Sequence, residues 1–291
     1  MPEKQPNPWI RNESSTLEVF HLQTGARQVL ARFDDVIEAP NWCRDGRSLV
    51  YNSGGRLFRF DLETRQSTPI FTGFACACNN DHVLSPSGTE IAISHMAKED
   101  GLSRVYTLPL AGGVPRLVTP LGPSYLHGWS PDGKTLAYCG QREGEFDIYA
   151  IPAQGGEETR LTQAPGLNDG PEYDPTGQYI WFNSVRTGLM QAWRMRADGA
   201  QQTQMTFDQN RNIWFPHVSP NGQWVVMLAY RKGDLEPWEH LPGKQVALQL
   251  MAAGGGPVRT LAEFYGGQGT INVNSWSPDS QAFAFVSYSP K

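Results

Sequence analysis

Three histidines, two aspartates and several asparagines recur at comparable places in this chain. They stand in "NNDHV" (Asn80, Asp81, His82), "YLHGW" (His127), "LNDGP" (Asp169), "FPHVS" (His217) and "INVNS" (Asn272, Asn274). Neutral imidazoles beside carboxylates can hold a divalent metal, move a proton, or hydrogen-bond a polar ligand. The residues are scattered over two thirds of the sequence. Their common feature is distance from a turn that the chain writes six times.

The turn copies end at Gly46 ("WCRDG"), Gly88 ("LSPSG"), Gly133 ("WSPDG"), Gly177 ("YDPTG"), Gly222 ("VSPNG") and Ser280 ("WSPDS"), with spacings of 42, 45, 44, 45 and 58. Proline fixes φ and Asp/Asn-Gly supplies a tight reversal, so the turn itself is structural. A period of this length marks a repeat architecture. Each period holds an apolar run after the turn ("KTLAYCG"), a polar break ("QREGEF"), a second run ("DIYAIPA"), a Gly-rich turn ("QGGE") and a third run ("TRLTQ"). With the short strand before the next turn, this makes four β-strands per repeat, the blade of a β-propeller.

The first turn is preceded by "LEVFHLQ", "TGA" and "RQVLA", which match the third and fourth strands of a blade. The last turn is followed only by "QAFAFVSYS", a second strand. The fold expected is therefore all-β, a six-bladed propeller of four antiparallel strands per blade. N-terminal strands (third and fourth) would pair with C-terminal strands (first and second) in one shared blade, removing both sheet edges. The expected organisation is an extended or disordered tail over 1–13 and a single propeller domain over 14–291.

The "SPDG…LAF…IY…GG…RLT" pattern resembles the TolB-type six-bladed propeller over essentially the whole chain. "NDH", "HGWSPDG", "DGPEYDP", "WFPH" and "FYGGQGTINVNSWSPD" resemble a cytoplasmic-looking subset of that group for which no activity is established. The resemblance implies the fold and leaves the partners of TolB proper aside. A weaker resemblance, of plan, is to oligogalacturonate lyases, propellers that hold a divalent metal by channel histidines. It implies His82, His127 and His217 as metal ligands, with Asp81 or Asp169 as further ligand or base.

In a propeller the first strand of each blade lines the channel. Six residues before each turn end stand Pro40, His82, His127, Pro171, Pro216 and Asn274, expected to form one ring near the channel mouth. Asn80, Asp81, Asp169, His217 and Asn272 lie beside it. The last period is longer because of "YRKGDLEPWEHLPGKQV", placed between strands two and three of blade five, so that Trp238, His240 and Lys244 would overhang the mouth. Arg142, Arg186 and Arg231 recur after second strands and are expected to brace blades.

Charged residues are 18% of the chain and the formal net charge is −5, a balance that suits neither nucleic acid nor an anionic membrane surface. No run approaches the ~18 apolar residues of a spanning helix. The opening "MPEKQPNPWIRNESS" lacks the apolar core of a secretory signal, so a cytoplasmic location is expected. Cys43, Cys76, Cys78 and Cys139 are expected as free thiols, with Cys76 and Cys78 on one face of a strand. There is no GxSxG elbow, Walker loop, HExxH or dinucleotide fingerprint. The preferred expectation is a non-enzymatic binding or protein-interaction propeller. It would take a protein, a peptide or a small polar ligand such as an oligosaccharide at the mouth. The alternative is the metal-dependent carbohydrate-active enzyme.

Overall fold

The computed structural model describes residues 12–291. Of the tail expected over 1–13, residues 1–11 lie outside the described residues, and Glu13 opens the first strand. The chain begins with β1 (Glu13–His21) and β2 (Arg27–Phe33). Blade one is β3 (Glu38–Trp42), β4 (Ser48–Ser53), β5 (Arg56–Asp61) and β6 (Ser67–Pro69). Blade two is β7 (Cys78–Leu84), β8 (Glu90–Met96), β9 (Ser103–Pro109) and β10 (Arg116–Leu117). Blade three is β11 (Ser124–Trp129), β12 (Thr135–Arg142), β13 (Glu145–Pro152) and β14 (Thr159–Arg160). Blade four is β15 (Asn168–Tyr173), β16 (Tyr179–Thr187), β17 (Leu189–Arg196) and β18 (Thr203–Gln204). Blade five is β19 (Arg211–Val218), β20 (Trp224–Arg231), β21 (Lys244–Ala252) and β22 (Arg259–Gly266), and β23 (Ala282–Pro290) comes last. All are antiparallel meanders, and no helix occurs among the described residues.

The sixth sheet runs β2-β1-β23. β1 and β23 pair without a register break from Glu13↔Pro290 to His21↔Ala282, which closes the ring as the sequence implies. The inner segment of this blade is less regular than the other five. It holds its place by an isolated Trp276↔Phe283 bridge and by bonds from Ala284 N to Ser275 O and Val286 N to Thr270 O. Its asparagines bond to blades one, two, four and five instead, as described below.

Each repeated turn is a hydrogen-bonded device. In blade three the Ser130 hydroxyl donates to Asp132 Oδ1 (2.7 Å) and accepts from Thr135 N (2.9 Å), while Gly133 N donates to Ser130 O (2.8 Å). Gly133 sits at φ 76°, a left-handed conformation that glycine adopts without strain. The final copy places Ser280 there at φ 62°. Second strands such as β12 and β20 are buried over nearly their whole length, because neighbouring blades cover both faces.

The five regular inner strands all contain a register break, between Glu38/Asn41, Cys78/His82, Leu126/Gly128, Asp169/Glu172 and Trp214/His217. A β-bulge re-aims the side chains that follow it. In blades one, four and five the bulge carries a left-handed residue just before proline: Ala39 (φ 55°), Gly170 (φ 61°) and Phe215 (φ 53°). Second-strand side chains fasten these bulges across the blade interface. Asn183 donates to Ile213 O (2.8 Å) and accepts from Phe215 N (2.9 Å); Asn52 donates to Cys78 O and Asn79 O; Ser94 accepts from Leu126 N.

The thiols are free, as expected, but the expected placement of Cys76 is corrected. A turn closed by Ala75 N to Thr72 O keeps Cys76 ahead of β7 and exposed, while Cys78 opens the strand and is buried.

Candidate functional site

A cavity of about 590 Å³ opens on the channel face away from the repeated turns. Its floor is made by Asp81 from β7, His127 from β11, Asp169 from β15 and Asn272 from the irregular inner segment of the shared blade. Its walls include Phe146, Leu167 and Val185. The long loop between β20 and β21 supplies Trp238 and His240 at the lip, so that loop reaches the mouth as the sequence implies. Lys244, expected there too, instead donates to Asp234 O at 3.3 Å within the loop.

The floor is tightly specified. Asp81 accepts from Asn79 Nδ2 on one oxygen and from Asn272 Nδ2 on the other, each at 2.5 Å. Asn272 Nδ2 also reaches Asn80 Oδ1 (3.2 Å), which brings Asn80 into the cluster. His127 Nε2 lies 3.4 Å from Asp169 Oδ1 and 3.9 Å from Asp81 Oδ1. Asp169 Oδ1 accepts Gly170 N (2.7 Å), and Gly170 itself is left-handed. A Cβ at Gly170 would stand 2.9 Å from Asn183 Oδ1, too close unless that amide shifts. Asn168, just before Asp169, is pinned by Asp147, Ser184 and Arg186.

Aromatic rings hold the imidazoles. Phe215 stacks on His127 (centroids 6.2 Å, 20°) and meets His240 edge-on (5.4 Å, 71°), and Trp214 meets His240 at 4.5 Å. A bulky residue at positive φ is a backbone outlier, and such strain gathers at functional sites.

The electrostatics follow from this packing. Burial works to raise the Asp169 carboxyl, but the hydrogen bond and charge of His127, helped by His240, outweigh it and hold Asp169 down at about 2. Burial likewise opposes the His127 imidazolium, yet Asp81 and Asp169 overcome it and hold His127 above its ordinary value. Asp81 is pushed up, by burial first and by Asp169 also, against the pull of His127. His240 is pushed down by burial. Asp169 and His127 thus favour each other's charged form, with a second carboxyl beside them.

Two expected site histidines stand elsewhere. His82 is fully buried with Nε2 3.4 Å from Val50 O, and burial drives it down to about 4. His217 is held between Glu172 Oε2 (2.6 Å from Nδ1) and Ile271 O. Neither lines the cavity. The expectation that His82, His127 and His217 converge as metal ligands is therefore corrected. The bulge between Cys78 and His82 presents Asp81 to the mouth and turns His82 into the blade interface. Among the described residues no group of three or more His, Cys, Asp or Glu is placed to hold a metal.

Asn274 also leaves the mouth. It donates to Glu172 Oε1 (2.7 Å) and Val218 O (2.9 Å), and its carbonyl accepts from Asn41 Nδ2. Together with Glu172 it lines a second, smaller cavity of about 70 Å³ toward the turns. His127 lines both cavities and so divides the channel. Glu172 was not among the expected residues, although "PEYDP" holds it at the next position after Pro171. Phe146, Leu167, Val185 and Phe215 were missed as well, since apolar residues in a β-protein carry no functional mark of their own.

Arg142 and Arg186 are braces. Arg142 pairs with Glu158 (2.7 and 2.8 Å) and lies over Tyr149, while Arg186 bonds Gln202 and Asn168 and lies over Trp193. Arg231 is more exposed and approaches Glu263 only to 4.0 Å.

Five four-stranded blades, a sixth closed by strands from both ends of the described chain, and a polar channel mouth define the class: a six-bladed propeller of the TolB type. Comparison with known proteins agrees. The family model for the TolB beta propeller domain matches residues 122–241. Uncharacterized protein Atu1656 of Agrobacterium fabrum is 48% identical over 277 residues, covering 95% of this chain and 93% of that protein. A solved Agrobacterium tumefaciens structure provisionally assigned as TolB superimposes with a TM-score of 0.92 at 46% identity, covering 97% of this chain and all of that one. The chain belongs to the TolB-like β-propeller family.

The Tol-Pal system protein TolB of Francisella tularensis is 28% identical over 213 residues, which are 69% of this chain and 47% of that protein. The chain spans about half the length of that relative. An oligogalacturonate lyase in complex with manganese aligns at a TM-score of 0.53 and 16% identity, over 78% of this chain and 66% of that chain. At that identity the likeness is one of fold alone, and the dispersed histidines do not favour the lyase alternative.

Proposed function

We propose that this protein is a binding propeller that takes a ligand or a peptide segment in the cavity at the channel mouth. One observation carries the reading. Strands from three blades and the closing segment deliver Asp81, His127, Asp169 and Asn272 to the floor of one apolar-walled concavity, and blade five alone is lengthened to roof it with Trp238 and His240. A few convergent polar groups in a largely apolar pocket of this size are the usual anatomy of a ligand site. The TolB-like fold, a rigid disc with a recessed mouth, suits recognition of a protein segment as well as of a small molecule.

The test is ligand-observed NMR with a mixed panel of small molecules and short peptides, run on the wild type and on Leu167→Trp. Leu167 is half-buried at the cavity wall, just before β15, so an indole there fills the space without entering a strand. The expected result is a set of binders that Leu167→Trp abolishes while its melting curve stays cooperative. Binders unaffected by Leu167→Trp, or no binders in the panel, would remove the cavity as the site.

A further inference from the structure

Donors and acceptors are unevenly supplied in this cavity. Its lining holds Asp81, Asp169 and Glu145, and no lysine or arginine stands among the lining residues. His127, whose charged form the two aspartates favour, is shared between Asp169 and Asp81. The buried Asp81 and Asp169 thus share His127 as their nearest charge partner, inside a recess walled by apolar side chains where charge is weakly screened.

The amide of Asn272 adds a second, independent sign. Its Nδ2 faces two acceptors, Asp81 Oδ1 (2.5 Å) and Asn80 Oδ1 (3.2 Å), which fixes the amide orientation. Oδ1 is then left as a buried acceptor with no hydrogen-bond partner, on a residue only 1% exposed. Buried polar atoms are nearly always satisfied, and an orphan at a cavity wall asks for a donor. Asp169 Oδ2 faces the same space, and the Cys139 thiol is a further neighbour of this carboxylate. The nearest ion-pair neighbour of Oδ2 is His240 Nε2 at 3.8 Å, beyond hydrogen-bond range. Above these acceptors lie Phe146, Leu167, Val185 and the indole of Trp238, the last 55% exposed.

We propose that the cavity binds a protonated amino group attached to an apolar body, either a small organic amine or the N-terminus of a chain. The proposal rests on the cavity being a ligand site, as proposed above. An ammonium offers up to three donors and one positive charge, which matches Asp169 Oδ2, Asn272 Oδ1 and the buried carboxylates. The apolar body would pack on Leu167 and Val185, with Trp238 closing over it. Trp faces also attract cations, so the lip favours the same ligand during entry. Anionic ligands meet repulsion, and neutral hydroxyl ligands supply too few donors and no charge.

The experiment is calorimetric titration at neutral pH with benzylamine, benzyl alcohol and benzoate, and with the tripeptide Phe-Gly-Gly carrying a free or an acetylated N-terminus. Benzylamine or free Phe-Gly-Gly should bind, and the neutral, anionic and acetylated counterparts should bind about tenfold more weakly or worse, the usual scale for losing a charge-assisted hydrogen bond. Benzylamine alone binding identifies a free amine as the source; free Phe-Gly-Gly alone identifies a chain N-terminus. Asp169→Asn should lose the preference for the amine, and the wild-type comparison of charged and neutral probes decides the matter even where that variant folds poorly. Equal binding of benzyl alcohol or of the acetylated peptide overturns the amine proposal and leaves the cavity standing as a site. Failure of both amines to bind also overturns it, and the Leu167→Trp panel then decides separately whether the cavity binds anything.

Discussion

His127 and Asp169 face each other at 3.4 Å across the interface between blades three and four, and each changes the other's acidity. The imidazole is held above its ordinary 6.5 and the carboxyl below its ordinary 3.8. The sign of each contribution to stability follows. A raised histidine stabilises fully below its unfolded value and loses that effect as pH rises through its folded value. A depressed aspartate stabilises above its unfolded value and loses the effect as pH falls through its folded value, about 2 here. The pair is therefore strongest from about pH 4 to 6.5. In ring-nitrogen NMR, His127 should titrate above 6.5 in the wild type and lower in Asp169→Asn. The destabilisation by His127→Gln should shrink above that midpoint. A wild-type midpoint below 6.5 would contradict the pairing.

Phe215 gives an inverted substitution series. Truncating a buried phenylalanine to alanine costs about 3–5 kcal/mol. At φ 53°, however, alanine keeps the strain that glycine relieves, worth about 1 kcal/mol. Phe215→Gly should therefore be more stable than Phe215→Ala in urea titrations, the reverse of the order in an ordinary strand. The usual order, alanine above glycine, would show that the backbone at Phe215 is unstrained.

Glu172 ties three elements together. It accepts from His217 Nδ1 (2.6 Å), Val218 N (3.0 Å) and Asn274 Nδ2 (2.7 Å), linking blades four and five to the closing segment. Removing one partner from a buried charged network typically costs about 3–5 kcal/mol. Glu172→Ala should lose about that much in chemical denaturation, while Glu263→Ala, whose carboxylate pairs on the surface, should leave the denaturation midpoint nearly unchanged.

Thiol reactivity should split one against three. Cys76 is exposed; Cys43, Cys78 and Cys139 are buried, and burial pushes Cys78 up to about 12 and Cys43 and Cys139 upward as well. A thiol reagent should label one cysteine rapidly in the native protein and four after denaturation. Cys76→Ser should abolish the fast phase.

Deleting residues 14–32 tests the closure. The loss would expose the edge of β23, whose Ala282–Val286 stretch is apolar and buried in the intact ring. Bare apolar edges aggregate. The truncated protein should be insoluble or melt without cooperativity, and a soluble product with an unchanged melting curve would contradict closure by β1.

The turns made the fold legible in the sequence. The Ser-Pro-Asp-Gly type of turn has one structural use, and its six variants set the blade count. The long loop with Trp238 and His240 was legible for the same reason, as a departure from a regular period. The site was half legible. Counting back from each turn assumes an unbroken strand, and every regular inner strand contains a bulge. The count therefore selected His82, which faces Val50, rather than its neighbour Asp81, which faces the cavity. It also grouped Asn274 with the mouth, although that side chain serves Glu172. Ala-Pro, Gly-Pro and Phe-Pro at 39–40, 170–171 and 215–216 were the available signal for three of the bulges.

The pairing of Glu13 with Pro290 also constrains the order of events during synthesis. β1 is the first of the described strands to leave the ribosome, and its partner β23 is the last. The five blades made in between can fold one after another, since each is local in sequence. The flank of blade one and the edge of β1 must nevertheless wait until β23 has been made. Contacts of such sequence separation form late and slowly, and waiting edges invite association with other chains. Completion of the disc therefore comes after all five intervening blades have been made, and the interval before it is when a nascent chain most needs protection.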